Sequence, residues 1–312
     1  MKFFLAPMQG LTGYTVRNAF HHHFDYIDKY YTPFIPAAKR MNAKIKRDID
    51  PVNNDGITLI PQAMSIVADE VIDLHRQLVP YGYDEINVNL GCPSGTVVSK
   101  KRGSGILAYP DMLDSFLDEL YTKADFPVSI KTRVGFNDDE LWPKLIEIYS
   151  KYPISELTVH PRVQKDFYKN TPRMDDFALA VQKINPDKTI LCYNGDITNA
   201  NSFKALTDRF PDIDEIMIGR GLFANPALIT ELKGISMDKA ELCERLKNWH
   251  DEILSGYLSI FSGEKDAMFR MKEIWAYMHG LFPDSEKLWK KIKKSQTLTD
   301  YKSIVRMAFD AF

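Results

Sequence analysis

Eight short apolar or β-branched runs recur along the first 230 residues: Phe3–Ala6, Tyr26–Tyr31, Ile57–Ala63, Glu85–Leu90, Pro127–Thr132, Glu156–His160, Thr189–Tyr193 and Glu215–Ile218. Their midpoints lie roughly 20 to 40 residues apart, room for a strand, a crossover helix and two loops. Eight such units predict a (β/α)8 TIM barrel. The segments between them read as helices. Leu113, Phe116, Leu117 and Leu120 fall on one helical face, and Ala68 to Leu78 and Leu141 to Tyr149 behave alike. After Gly234 the period changes. Leu242, Leu246, Trp249, Ile253 and Tyr257 fall at helical spacing, followed by Met271, Ile274 and Met278 and by Leu288 and Ile292. The expectation is therefore α/β: a barrel over residues 1–235 followed by a small all-helical C-terminal domain over 236–312.

In such a barrel, chemistry is assembled at the C-terminal ends of the strands. The first run is followed by Pro7-Met8-Gln9-Gly10, the third ends near Gln62, and the fourth delivers Asn89 and Cys92. The fifth brings Lys131 and Arg133, the sixth His160 and Arg162, the seventh Asn194-Gly195-Asp196, and the eighth Gly219-Arg220-Gly221. Alone, Cys92 reads as a small buried hydrophobe, His160 as a structural histidine and Asn194-Gly195-Asp196 as a turn. Together at one rim they read as a site. Amides, lysine, imidazole and guanidinium suit a planar heterocycle that gains negative charge, such as a reduced flavin. The glycine turns, with Arg220 and the Asn225-Pro226 pair, suit a phosphate.

Charge and cysteine usage bound the rest. A net charge of −2 gives no global attraction to nucleic acid, so any such binding needs a local patch. Cys92, Cys192 and Cys243 are odd in number and widely spaced, which argues against a disulfide framework, structural zinc or an iron–sulfur cluster and fits a reducing cytoplasm. Consecutive His21-His22-His23 diverge by 100° steps on a helix, so no metal site is expected. No stretch is long enough to span a bilayer.

The motifs Leu5-Ala6-Pro7-Met8, Asn89-Leu90-Gly91-Cys92-Pro93, Arg102-Gly103-Ser104-Gly105-Ile106-Leu107, Lys131-Thr132-Arg133, His160-Pro161-Arg162, Asn194-Gly195-Asp196 and Ile218-Gly219-Arg220-Gly221 resemble those of the tRNA-dihydrouridine synthases. These are FMN enzymes with a barrel and a C-terminal helical domain, and the resemblance spans essentially the whole chain. The sequence departs from the family pattern at Gln9, at Pro161 where glycine is usual, and at Ser104 where alanine is usual. The resemblance implies that Pro7 and Met8 line the flavin, that Gln62 and Lys131 bond its ring, and that His160 lies close to it. It places Asn194, Gly195, Asp196, Gly219 and Arg220 on the phosphate side and makes Cys92 the proton donor. Asn89, Lys100, Arg133, Arg162, Arg270 and Lys272 are expected to meet the RNA substrate, with NADPH as electron donor and the protein a monomer. Lys101, Arg102 and the run Lys287, Lys290, Lys291, Lys293 and Lys294 would add phosphate contacts, although such a run is equally a solvated helix face. Trp275, Tyr277 and Trp289 read as base-stacking candidates, with core packing expected for at least two of them. Three rival readings stay open: a flavin barrel acting on a small pyrimidine or enone, an aldolase-like barrel with Lys131 as Schiff-base lysine, and an RNA-binding barrel without activity.

Overall fold

The computed structural model describes residues 1–37 and 40–312. Among these described residues, ten parallel strand segments form one sheet. They are β1 Lys2–Leu5, β2 Lys29–Tyr31, β3 Ile35–Pro36, β4 Leu59–Ile60, β5 Gln62–Met64, β6 Ile86–Leu90, β7 Val128–Gly135, β8 Glu156–Val163, β9 Ile190–Tyr193 and β10 Glu215–Ile218. β4 and β5 are one traverse broken at Pro61, which has no N–H to donate to a ladder. β2 and β3 run beside them in the same way, β2 pairing with β4 and β3 with β5. Counted by traverse there are eight strands. β1 pairs with both β10 and β2, so the sheet closes into the expected TIM barrel.

The runs read from sequence coincide with these strands, and Glu215–Ile218 matches end to end. Two differences bear on the site. β7 and β8 extend to Gly135 and Val163, so Arg133 and Arg162 stand inside strands rather than just beyond them, and His160, the last residue of its run, is followed by three more strand residues. Their pairing shifts register between Arg133 and Gly135. Ile35–Pro36 carries too short an apolar run to be read as a strand, and tertiary pairing with Ala63 and Met64 makes it one.

Helices cover the outside of the barrel, and Pro110–Lys123 buries Leu113, Phe116, Leu117 and Leu120 as its spacing requires. Inside, Phe4, Ala6, Tyr31, Ile60, Cys192 and Met217 form a separate small cluster, which accounts for one of the three cysteines. Glu156, at the start of β8, is buried yet paired: Lys29 Nζ donates to it at 2.7 Å and Tyr31 Oη at 2.8 Å.

Beyond the barrel run four longer helices, Lys239–Ile260, Glu264–Met278, Ser285–Lys294 and Leu298–Asp310, with no strand after Ile218 among the described residues. Their buried residues include the expected Leu246, Trp249, Ile253, Met271, Ile274 and Ile292. The helical region is packed onto the barrel. Phe20, on helix Tyr14–His23, meets Trp249 at 5.1 Å and Phe223 at 5.5 Å between ring centroids. His22 Nδ1 and His23 Nε2 lie 2.9 and 2.8 Å from the two oxygens of Glu252. The histidine run thus joins two helices, and no group of three metal-ligating side chains occurs among the described residues. None of their helices is long and apolar enough to cross a membrane.

Candidate active site

A chain of buried amides orients the Cys92 loop. In β6, Asn87 Nδ2 donates to Ser129 Oγ at 3.0 Å, and Asn87 Oδ1 accepts from Gln62 Nε2 at 2.8 Å. Asn89 Nδ2 donates to Gln62 Oε1 at 2.8 Å, while Asn89 Oδ1 accepts from the backbone N–H groups of Gly91 at 3.1 Å and Cys92 at 2.9 Å. The network fixes which way Gln62 faces and leaves one of its two N–H bonds for a ligand. Cys92 itself is half-buried at the cavity wall. Burial pushes its thiol up, outweighing a backbone hydrogen bond and the nearby Arg133 and Lys131, so the sulfur keeps its proton at neutral pH.

Lys131 follows the opposite logic. Enclosure, with Arg133 nearby, lowers its ammonium to about 7. Lys131 Nζ donates to Asn194 Oδ1 at 2.6 Å, and Asn194 Nδ2 donates to the Met217 carbonyl at 2.7 Å. Lys131 is therefore poised to gain or lose its charge near pH 7 according to what stands beside it. Burial, reinforced by Arg133, Lys131 and Arg162, holds His160 neutral. Arg162 Nη1 lies 3.2 Å from His160 Nε2, which assigns Nε2 as acceptor and leaves the ring proton on Nδ1.

At the other end of the cavity one carboxylate serves two guanidinium groups. Asp196 accepts from Arg162 through both oxygens and from Arg220 Nη2 at 2.5 Å. Burial alone would raise Asp196, but these pairs hold its carboxyl below the usual range. The trio carries a net positive charge, which suits a phosphate. Tyr168 completes this end. Arg220 lies 4.5 Å and Arg133 5.5 Å from its ring centroid, and His160 stacks on it at 6.2 Å. Asp196→Asn should strand the Arg162 side chain, which is 2% exposed, as a buried charge without its partner. Discounted for the partial exposure of Asp196, the expected loss is about 2 kcal/mol. Because the folded carboxyl titrates low, the wild-type advantage over Asp196→Asn should persist at neutral pH and vanish as pH falls through that low value. Thermal melts of both proteins, stepped down from pH 7 through the acid range, check this.

These groups line one cavity of about 690 Å³ at the C-terminal ends of the strands. Among its walls are Pro7, Met8, Gln62, Asn89, Cys92, Lys131, Arg133, His160, Asn194, Gly195, Asp196, Gly219 and Arg220. The remaining candidates stand elsewhere. Arg162 is buried behind the wall, its Nε donating to the Asn170 carbonyl at 2.6 Å. Arg133 reaches the wall with three of its five N–H donors engaged by the carbonyls of Gly91, Val163 and Phe167. Arg270 packs on the Gly10 backbone, where a Cβ would sit 2.8 Å from its Nη1. Lys272 Nζ donates to the Lys293 and Ser295 carbonyls, closing the end of helix Ser285–Lys294. Lys100 is exposed beyond the short helix Gly95–Val98. Asn225 caps locally, its Oδ1 accepting from Ala227 N at 3.1 Å.

Tyr168 was not among the sequence candidates; the adjacent aromatics Phe167-Tyr168, shortly after His-Pro-Arg, were its only signal. Tyr277 enters the cavity wall from the helical region, whereas Trp275 is core and Trp289 stacks on His279 at 5.6 Å.

Fold and cavity together define a TIM-barrel enzyme with a cation-rich pocket at its strand ends. Morphinone reductase has the same barrel, with a TM-score of 0.51 at 11% identity over 77% of this chain and 88% of that one. The old yellow enzyme homologue from Zymomonas mobilis matches at a TM-score of 0.51 and 8% identity, over 80% and 91% of the two chains. The chain belongs to the dihydrouridine synthase family, whose model matches residues 4–311. It is 25% identical over 296 residues to tRNA-dihydrouridine synthase B of Pasteurella multocida, covering 91% of this chain and 85% of that one. It is 28% identical over 238 residues to a probable tRNA-dihydrouridine synthase of Staphylococcus aureus strain MRSA252, covering 73% and 68%.

Proposed function

We propose that this protein is an FMN-dependent tRNA-dihydrouridine synthase that reduces the C5=C6 bond of particular tRNA uridines with electrons from NADPH. The observation that carries the reading is Cys92: a thiol kept protonated by burial, on a loop aimed by Asn89, in the wall of a cavity rich in cations. The cavity fits FMN by its donor chemistry. Gln62 has an N–H to spare, Lys131 can carry the charge an electron-rich ring acquires, and Arg220 with its excess positive charge suits the phosphate. Gly219 lies close against the wall that Pro7 and Met8 present: a Cβ there would meet Ala6 at 3.3 Å, slightly tight, and Met8 at 3.5 Å, an ordinary contact. Gly195, Asn194 and neutral His160 complete the holding set.

Held by Gln62, Lys131 and Arg220 and reduced, FMN would be the source of hydride, and C6 of the uracil is the carbon that would accept it. The negative charge this leaves on the C5–C4–O4 system needs a proton at C5, and Cys92 is the group that gives it. A thiol is acid enough to deliver that proton and, pushed up by burial, weak enough to hold it until then. The uridine must be extruded from its loop to reach the cavity. We assign residues 236–312 to orienting the RNA, with Arg270 beside the rim and the lysines of helix Ser285–Lys294 as candidate phosphate contacts.

The test is nucleoside mass spectrometry of unmodified tRNA incubated with NADPH and the FMN-loaded protein. Dihydrouridine at defined positions is expected. A folded, flavin-loaded protein that leaves a complete tRNA pool unchanged while reducing free enones or pyrimidines would replace this reading with a small-molecule reductase.

A further inference from the structure

We propose that Ser104 is a positioning residue for the proton donor Cys92, holding its peptide so that the sulfur presents one orientation to the cavity. The proposal rests on Cys92 being the acid, as inferred above. Ser104 is fully buried, and its Oγ donates to the Cys92 carbonyl at 2.8 Å. Its backbone N–H donates to the same oxygen at 3.1 Å. Gly103 makes this approach possible. It sits at φ +55, and a Cβ there would lie 2.8 Å from the Cys92 carbonyl oxygen.

The other anchors of the loop are independent of Ser104. Asn89 Oδ1 accepts from the Cys92 N–H at 2.9 Å, and Gln164 Nε2 donates to the Pro93 carbonyl at 2.9 Å. Both polar groups of the Cys92 backbone are therefore engaged, and the next peptide is held from the β8 loop. The side chain is the part left to act. Alanine at 104 would keep the backbone bond and the packing but remove the shorter hydrogen bond, so the loop should stay in place and lose its definition. Among the described residues the hydroxyl bonds only to the peptide that carries the thiol.

The experiment compares wild type with Ser104→Ala. The first readout is iodoacetamide alkylation of Cys92 against pH, quantified on the Cys92 peptide by mass spectrometry so that Cys192 and Cys243 do not contribute. With the loop loosened, the thiol should be better solvated. Its alkylation midpoint should fall toward that of an ordinary thiol, and the rate at pH 7.5 should rise about threefold. The second readout is dihydrouridine formation, where kcat should fall about fivefold with KM for tRNA unchanged, because misplacement of an acid affects the reacting geometry and not docking. An unchanged alkylation profile, or a shifted profile with unchanged kcat, would overturn the proposal. A merely structural hydroxyl would lower the melting temperature and move neither readout. Alkylation needs neither RNA nor flavin, so a wild type that makes no dihydrouridine would refute the synthase reading without being confused with a failure of the loop readout.

Discussion

Cys92→Ala should make about 100-fold less dihydrouridine than wild type at saturating tRNA and NADPH, while FMN titrated by fluorescence quenching binds with unchanged affinity. General acids are worth two to four powers of ten, and among the described residues of the cavity wall Cys92 is the one thiol, beside the weaker phenols of Tyr168 and Tyr277. His160 is held neutral by burial and surrounding cations, and Lys131 is needed as a charge. Flavin affinity should be spared because Gln62, the amide proposed to hold the ring, keeps its own partners Asn87 and Asn89 when only the thiol is removed. Equal turnover in the variant would transfer the proton to another donor. Lost flavin would show instead that Cys92 supports the pocket.

Lys131→Met has the second-largest expected effect. Turnover should drop about 100-fold, as when a single charge-stabilising donor is removed from an enclosed site. The same substitution should stabilise the ligand-free protein. Lys131 titrates at about 7 when folded against 10.5 when unfolded. Below pH 7 both states carry the charge, and the folded state bears the full cost of enclosing it. Between the two values the unfolded chain binds the extra proton, so wild-type stability rises with pH. Methionine should therefore raise the melting temperature by about 5 °C at pH 6 and by less than half of that at pH 9. Equal gains at both pH values would mean that Lys131 is neutral, or fully solvated, throughout.

The barrel was legible because each of its eight traverses carried a compact apolar run, although the segment Ile35–Pro36 did not, and the candidate site was legible because a barrel puts polar residues where those runs stop. Asn89, Cys92, Lys131 and His160 follow that rule, and they share one cavity. Arg162 escaped it. Placed next to a strand end, it looked free to reach a substrate, but β8 continues through Val163 and turns its guanidinium inward onto Asp196. Lys272 looked like a phosphate ligand from its charge alone, whereas the carbonyls it closes belong to a helix some twenty residues later. Nothing local encodes such long-range partners. Tyr168 was invisible for a related reason: it sits in a loop, where no periodicity operates, and its role follows from Arg133, His160 and Arg220 gathering around it.

The meeting of Phe20 with Trp249 and Phe223 also sets an order of events during synthesis. β1 can find its second neighbour, β10, only after residue 218 has left the ribosome, and Phe20 on the first helix is fully covered only once Trp249 follows. Until then the nascent barrel shows an open sheet edge and an uncovered aromatic face, both of which invite association between chains. A chain cut after residue 235 would keep Phe223 against Phe20 but leave the Trp249 side of that face uncovered, so the helical region acts as a late-made cover of the barrel as well as its proposed RNA-facing part.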